Sequence, residues 1–132
     1  MRTVIGNLDS ADIIKKEAAD AEIVVHTADS SDHEGAAHAI AEGLIQGHTK
    51  ERPGYWLHMG GAGILTFSDS KKERFGEPPE KEYDDLERVD ELTNLPDDAF
   101  HRNVDLVVLK AGTEHGDKVK TAILCPPTIY GT

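Results

Sequence analysis

A single cysteine, a single tryptophan and few positive charges set the first limits on this 132-residue sequence. Cys125 alone cannot close an intrachain disulfide, and one unpaired thiol suits a reducing compartment, so a cytoplasmic location is expected. Cys125 follows the apolar run Ala122-Ile123-Leu124, and a free cysteine in such a run is expected to act as a small buried hydrophobe. No run approaches the roughly 20 apolar residues of a membrane span. Met1-Arg2-Thr3-Val4-Ile5-Gly6-Asn7 lacks the apolar stretch of a secretion signal. Neither a membrane nor a leader is therefore expected. Fourteen Lys and Arg face 25 Asp and Glu, a net charge of −11. No basic cluster is large enough to track a phosphate backbone, which argues against a nucleic-acid partner.

What the sequence does contain is enough apolar material for a core. Hydrophobic residues make up 38% and charged residues 30%, the balance of a globular domain. No repeat or linker divides the chain, so residues 1–132 read as one domain.

Hydrophobic periodicity orders the elements. Thr3-Val4-Ile5-Gly6 reads as a strand stub. A helix from about Ala11 to Ala19, capped by Asp9 or Ser10, would bury Ile13, Ile14 and Ala18. Ile23-Val24-Val25 is β-branched throughout, the pattern of a strand covered on both faces. Asp29-Ser30-Ser31-Asp32 supplies cap residues for a helix carrying Ala36, Ala37, Ile40, Ala41, Leu44 and Ile45 and stopping near Gly47. Tyr55 to His58 is a strand ended by Met59-Gly60-Gly61-Ala62-Gly63. Ile64 to Phe67 reads as extended, and Ser68 to Glu82 as an exposed loop. Phe100, Val104, Val107 and Val108 stripe a helix from about Pro96 to Lys110, stopped by Gly112. A short helix over Glu114 to Lys118 and a strand over Lys120 to Leu124 complete the series. The alternation implies an α/β fold with a parallel sheet of about four strands and helices on both faces.

Ligands of such sheets sit beyond the carboxyl ends of the strands. That singles out Asn7 and Leu8, then Thr27, Ala28 and Asp29, then Gly60 and Gly61, and finally Pro126, Pro127 and Thr128. Small residues there let a flat ligand approach the backbone, although ordinary strand-to-helix turns use the same residue types. Gly61-Ala62-Gly63 supplies a G-x-G, but Thr66 stands where a dinucleotide fingerprint needs its third glycine. None of the seven histidines has the H-E-x-x-H or Cys/His spacing of a metal site, so no metal is expected. His101 and Asp105 lie four residues apart and can share a helix face, either as a solvated pair or as a pair facing a substrate.

Together these segments resemble the short-chain dehydrogenase/reductase superfamily in its extended or atypical branch. The likeness is to fungal proteins of the NAD-dependent epimerase/dehydratase-like and NmrA-like kinds. It is carried by Val4-Ile5-Gly6-Asn7-Leu8-Asp9, Ile23-Val24-Val25-His26-Thr27-Ala28, Tyr55-Trp56-Leu57-His58-Met59-Gly60-Gly61, Phe100-His101-Arg102-Asn103-Val104-Asp105 and Pro126-Pro127-Thr128-Ile129-Tyr130-Gly131. The resemblance implies an incomplete Rossmann-type sheet that begins at the family's third strand. The first βαβ unit, with the glycine-rich turn that grips pyrophosphate, is missing from it. It implies NAD or NADP as cofactor, with weak or absent binding in this chain. The family's Tyr-x-x-x-Lys pair is replaced by His101 and Asp105, and its serine or threonine by the glycines around Gly60. A neutral histidine can transfer a proton near pH 7, but Asp105 would raise a partner's pKa where lysine lowers it.

Three functions stay open. The chain is a partial NAD(P)-binding domain, inactive alone; or a non-catalytic redox-sensing or regulatory module; or an oxidoreductase acting on a small carbonyl compound through His101 and Asp105. An incomplete parallel sheet leaves an apolar edge open, so marginal stability or self-association is expected.

Overall fold

The computed structural model describes residues 2–79, 81–127 and 131. Three strands, β1 (Ile23–His26), β2 (Gly54–Met59) and β3 (Val119–Leu124), pair in parallel in the order β1-β2-β3. The α/β class and the parallel sheet are those expected. The strand count is not: among the described residues there are three strands rather than four. Thr3 to Gly6 has no regular secondary structure and no strand partner, with Ile5 91% exposed. A strand exists through its ladder, and this run borders a groove beside β1 without bonding to it.

Side-chain alternation decides which face of the sheet is covered. In register, Val24 lies beside Trp56 and Thr121, and His26 beside His58 and Ile123. These rows face the helices, and Trp56 and His58 are fully buried. Ile23, Tyr55, Val25 and Leu57 occupy the alternate positions and are 56%, 42%, 62% and 37% exposed. β1 was expected to be buried on both faces, and only one is covered. The cause is topological. A strand order with no reversal sends every right-handed crossover to the same side. Helices α1 (Ala11–Asp20), α2 (Glu34–Gly47) and α5 (Arg102–Glu114) accordingly form one layer. Their core joins Ala18, Ile40, Leu44, Trp56, Val104, Val108 and Val119.

α1 and α2 meet backbone to backbone. A Cβ on Gly43 would lie 2.3 Å from the Lys15 carbonyl oxygen, and one on Gly47 2.1 Å from that of Ala19. The cap of α2 is His33, whose Nδ1 accepts from the Ala36 amide at 3.0 Å. The Asp29–Asp32 cluster, expected to cap α2, lies one turn earlier.

The connection from β2 to α5 holds a 3₁₀ turn (Ala62–Thr66), α3 (Phe67–Lys71) and α4 (Val89–Thr93). Ile64 to Phe67 is thus helical rather than extended, and α3 occupies the start of the expected loop. The reason is packing: Ile64 is buried with Leu95 and Ala99, and Leu65, Phe67 and Tyr83 close over them. α5 starts at Arg102, not Pro96, because His101 adopts a left-handed backbone at φ 65°. Phe100 is 55% exposed and lies off the buried stripe. Gly112 does not stop α5. It lies against β3, where a Cβ would sit 2.1 Å from Thr121 Oγ1. Of the expected helix over Glu114 to Lys118, Glu114 belongs to α5 and His115 to Lys118 form a turn. Among the described residues no helix is long and apolar enough to cross a membrane.

Candidate functional site

Parallel pairing brings the segments after all three strands to one edge. Thr27, Ala28 and Asp29 follow β1, Gly60 and Gly61 follow β2, and Cys125, Pro126 and Pro127 follow β3. Cross-links fix these ends together. Ser30 Oγ donates to the Met59 carbonyl at 2.6 Å, tying the β1 loop to β2. The Gly60 amide donates to the Leu124 carbonyl at 2.8 Å, tying β2 to β3. Cys125 Sγ donates to the Gly61 carbonyl at 3.4 Å, and Cys125 is exposed, not the buried hydrophobe the sequence suggested.

His101 bridges this edge from the α5 side. Its Nδ1 is 2.8 Å from Asp32 Oδ1. A carboxylate only accepts, so Nδ1 carries a proton, and in the neutral ring Nε2 keeps a lone pair. The ring lies on the β2 turn: a Cβ on Gly61 would fall 2.3 Å from His101 Cδ2 and 2.5 Å from Nε2. Only glycine leaves room for it. The left-handed backbones of His101 and Asp29 both occur at this edge, and such conformations persist in non-glycine residues only where the surroundings enforce them.

Beneath the edge lies a buried polar floor. His26 and His58 are register partners on β1 and β2, with ring centroids 5.2 Å apart. Trp56 meets the His58 ring edge-on at 5.7 Å. Asp105 reaches in from α5, its Oδ1 3.8 Å from His58 Nε2. Neither ring nitrogen of His58 has a hydrogen-bond partner, and Asp105 Oδ1 has none. Burial lowers the His58 pKa to about 4, with His26 adding to the effect. Burial lowers His26 as well. Burial raises Asp105 to about 6, against the opposing pull of Arg102 and His101. The Cys125 thiol, partly covered by the edge although the residue as a whole is exposed, is pushed up by that covering and then by Asp105.

The residues singled out from sequence therefore divide. Thr27, Ala28, Asp29, Gly60, Gly61, Pro126 and Pro127 share the carboxyl edge. Asn7 and Leu8 line a groove of about 540 Å³ with Ala28 on the outer side of β1. Thr128 lies outside the described residues. His101 and Asp105 do not form a side-chain pair, because His101 precedes the helix and turns to Asp32 while Asp105 is buried against His58. Asp32, His26 and His58 carry no motif. Their one signal is phase: His26 and His58 stand two residues after Val24 and Trp56, on the covered face.

The same geometry tests a dinucleotide. A pyrophosphate cradle needs free backbone amides at a strand–turn–helix junction. Here the turn after β2 leads into a 3₁₀ segment and a five-residue helix, and the His101 ring fills the space above Gly61. The strand order also lacks the reversal that opens a ligand crevice. The phosphate half of such a cofactor does not fit the described residues. Among them, no three His, Cys, Asp or Glu side chains are grouped to hold a metal ion.

Comparison with known proteins gives one relative of partial extent. Over 133 aligned positions the chain is 35% identical to the oxidase ucsJ of Acremonium sp., covering 99% of this chain and 37% of that protein. The chain is thus related to part of a fungal oxidase and spans little more than a third of its length. No protein-family model matches the chain. No solved structure matches it.

Proposed function

We propose that this chain forms the acid/base side of an NAD(P)-dependent oxidoreductase centre of the short-chain dehydrogenase kind, with His101 as the proton-transferring group and Asp32 as its orienting partner. The observation that carries this reading is the 2.8 Å His101–Asp32 pair seated on Gly61 at the carboxyl edge. In the neutral ring the Nδ1–H held by Asp32 leaves Nε2 as a base beside the Gly61–Gly63 turn. The partial likeness to an oxidase supports redox chemistry at that edge. The chain's own residues orient the base, while grip on a pyrophosphate has to come from elsewhere.

Titration of the chain with NADH, followed by amide NMR, tests this. Shifts are expected at Ala28, Asp29, Gly60, Gly61 and His101, saturating only at about millimolar NADH or above, a binding energy of roughly 4 kcal/mol. Saturation at micromolar NADH would mean that a phosphate grip exists after all. Shifts absent from these residues would remove the edge as the seat. Either result overturns the proposal.

A further inference from the structure

The buried floor beneath the edge takes no part in the proton transfer just described, yet it holds two buried ionisable groups, His58 and Asp105. Asp105 is 5% exposed and His58 fully buried. An unpaired buried carboxylate is expensive, so the groups that face it matter. From α5, Arg102 gives Nη2 to the Thr93 carbonyl at 2.6 Å, and His101 gives Nδ1 to Asp32. From beyond β3, Cys125 gives its thiol to Gly61. From β1, His26 faces the His58 ring. From β2, His58 Nε2 lies 3.8 Å from Asp105 Oδ1. Directly above, a Cβ on Gly60 would be 3.6 Å from that same oxygen. Asp105 Oδ1 is therefore close both to one imidazole nitrogen and to the Gly60 turn.

The tautomer of His58 follows from this arrangement. With the proton on Nδ1, two lone pairs would oppose each other across 3.8 Å of buried space. With the proton on Nε2, the nitrogen that lies 3.8 Å from the carboxylate carries the hydrogen, beyond hydrogen-bond length but favourably charged, and the Nδ1 lone pair is the more distant one. The low polarisability of the surroundings makes that difference large.

We propose that His58 is a positioning residue: as the neutral Nε2–H tautomer it presents its N–H side to Asp105 and holds that carboxylate in place beside the Gly60–Gly61 turn. The inference rests on the preceding reading only in taking that turn as a functional seat. Its test uses ligand-free protein, so it fails or stands apart from the NADH titration.

Long-range ¹H–¹⁵N NMR of the wild-type chain at neutral pH is the first measurement. A neutral His58 protonated at Nε2 is expected. Protonation at Nδ1, or an imidazolium, overturns the proposal. The second measurement compares three variants by the carboxyl titration of Asp105 and the amide shift of Gly60. The side-chain amide of His58→Gln places an N–H near the Nε2 position, so Asp105 should titrate within about half a pH unit of wild type and Gly60 should not move. His58→Asn and His58→Leu place no donor there. Both should raise the Asp105 titration by about one unit or more and shift Gly60. Equal behaviour of all three variants would reduce His58 to packing and overturn the proposal. If a variant does not fold, the wild-type tautomer decides.

Discussion

Asp105→Asn should make the chain more stable at pH 8 and leave it unchanged near pH 4. Folding raises the Asp105 pKa from 3.8 to about 6 through burial. The folded form therefore holds this proton more tightly than the unfolded chain does, and Asp105 costs stability as pH rises from about 4 through 6. A shift of about two units at roughly 1.4 kcal/mol each amounts to about 3 kcal/mol above pH 6. Asparagine has nearly the same shape and no charge to bury, so it removes that cost. His58 acts with the opposite sign. Its pKa falls from 6.5 to about 4 on folding, so its contribution is complete above pH 6.5 and is lost as pH falls toward 4. In the wild type the two slopes oppose each other between about pH 4 and 6 and largely cancel. In Asp105→Asn only the histidine slope remains, steepened by His26, whose pKa is also lowered. Urea denaturation from pH 4 to pH 8 reads this out. Trp56, the only tryptophan and fully buried, reports through its fluorescence, with far-ultraviolet circular dichroism as a check. The variant should match wild type near pH 4 and exceed it by about 3 kcal/mol at pH 8. A variant less stable than wild type at pH 8 would mean that the buried charge is net stabilising, and the burial argument would be refuted.

Other perturbations give equally direct outcomes. Gly47→Ala adds a better helix former, but its Cβ meets the Ala19 carbonyl at 2.1 Å. It should destabilise by about 2 kcal/mol, and a higher melting temperature would contradict the close α1–α2 packing. Gly61→Ala places a Cβ 2.3 Å from His101 Cδ2. It should displace the ring and change the ¹⁵N signals of His101, whereas an unchanged spectrum would separate the ring from the turn. The open sheet face, with Ile23 and Val25 more than half exposed, should drive self-association that sedimentation detects at about 10–100 µM. A cooperative melt of a strict monomer would count against it.

Much of this organisation is legible in the sequence, and the misses have physical causes. α2 and β2 are strongly periodic, and their patterns place them correctly. Glycine is ambiguous. Gly112 reads as a helix stop, yet α5 continues through it because β3 occupies the space where its side chain would be. Gly47 does end a helix, but its larger role is contact with α1, which no local pattern records. The start of α5 is hidden in sequence because His101 takes a left-handed conformation that no local pattern announces. The open face of β1 is not legible in sequence, because β-branched composition reports what a strand could bury, while strand order decides what covers it. At the site, proximity in sequence suggested His101 with Asp105. The fold instead joins His101 to Asp32 across 69 positions. Asp105 had a visible signal of another kind: it follows Val104 and precedes Val108 by three residues, inside the buried stripe of α5.

The pairing of His101 with Asp32 is best tested by the tautomer of His101 at alkaline pH, read by long-range ¹H–¹⁵N NMR in wild type and in Asp32→Asn. A free neutral imidazole favours the proton on Nε2, so only a specific acceptor at Nδ1 reverses the preference. The expected result is Nδ1–H in wild type and a return toward Nε2–H in Asp32→Asn. His101 protonated at Nε2 in both proteins would contradict the orienting role of Asp32 and, with it, the base poised over Gly61.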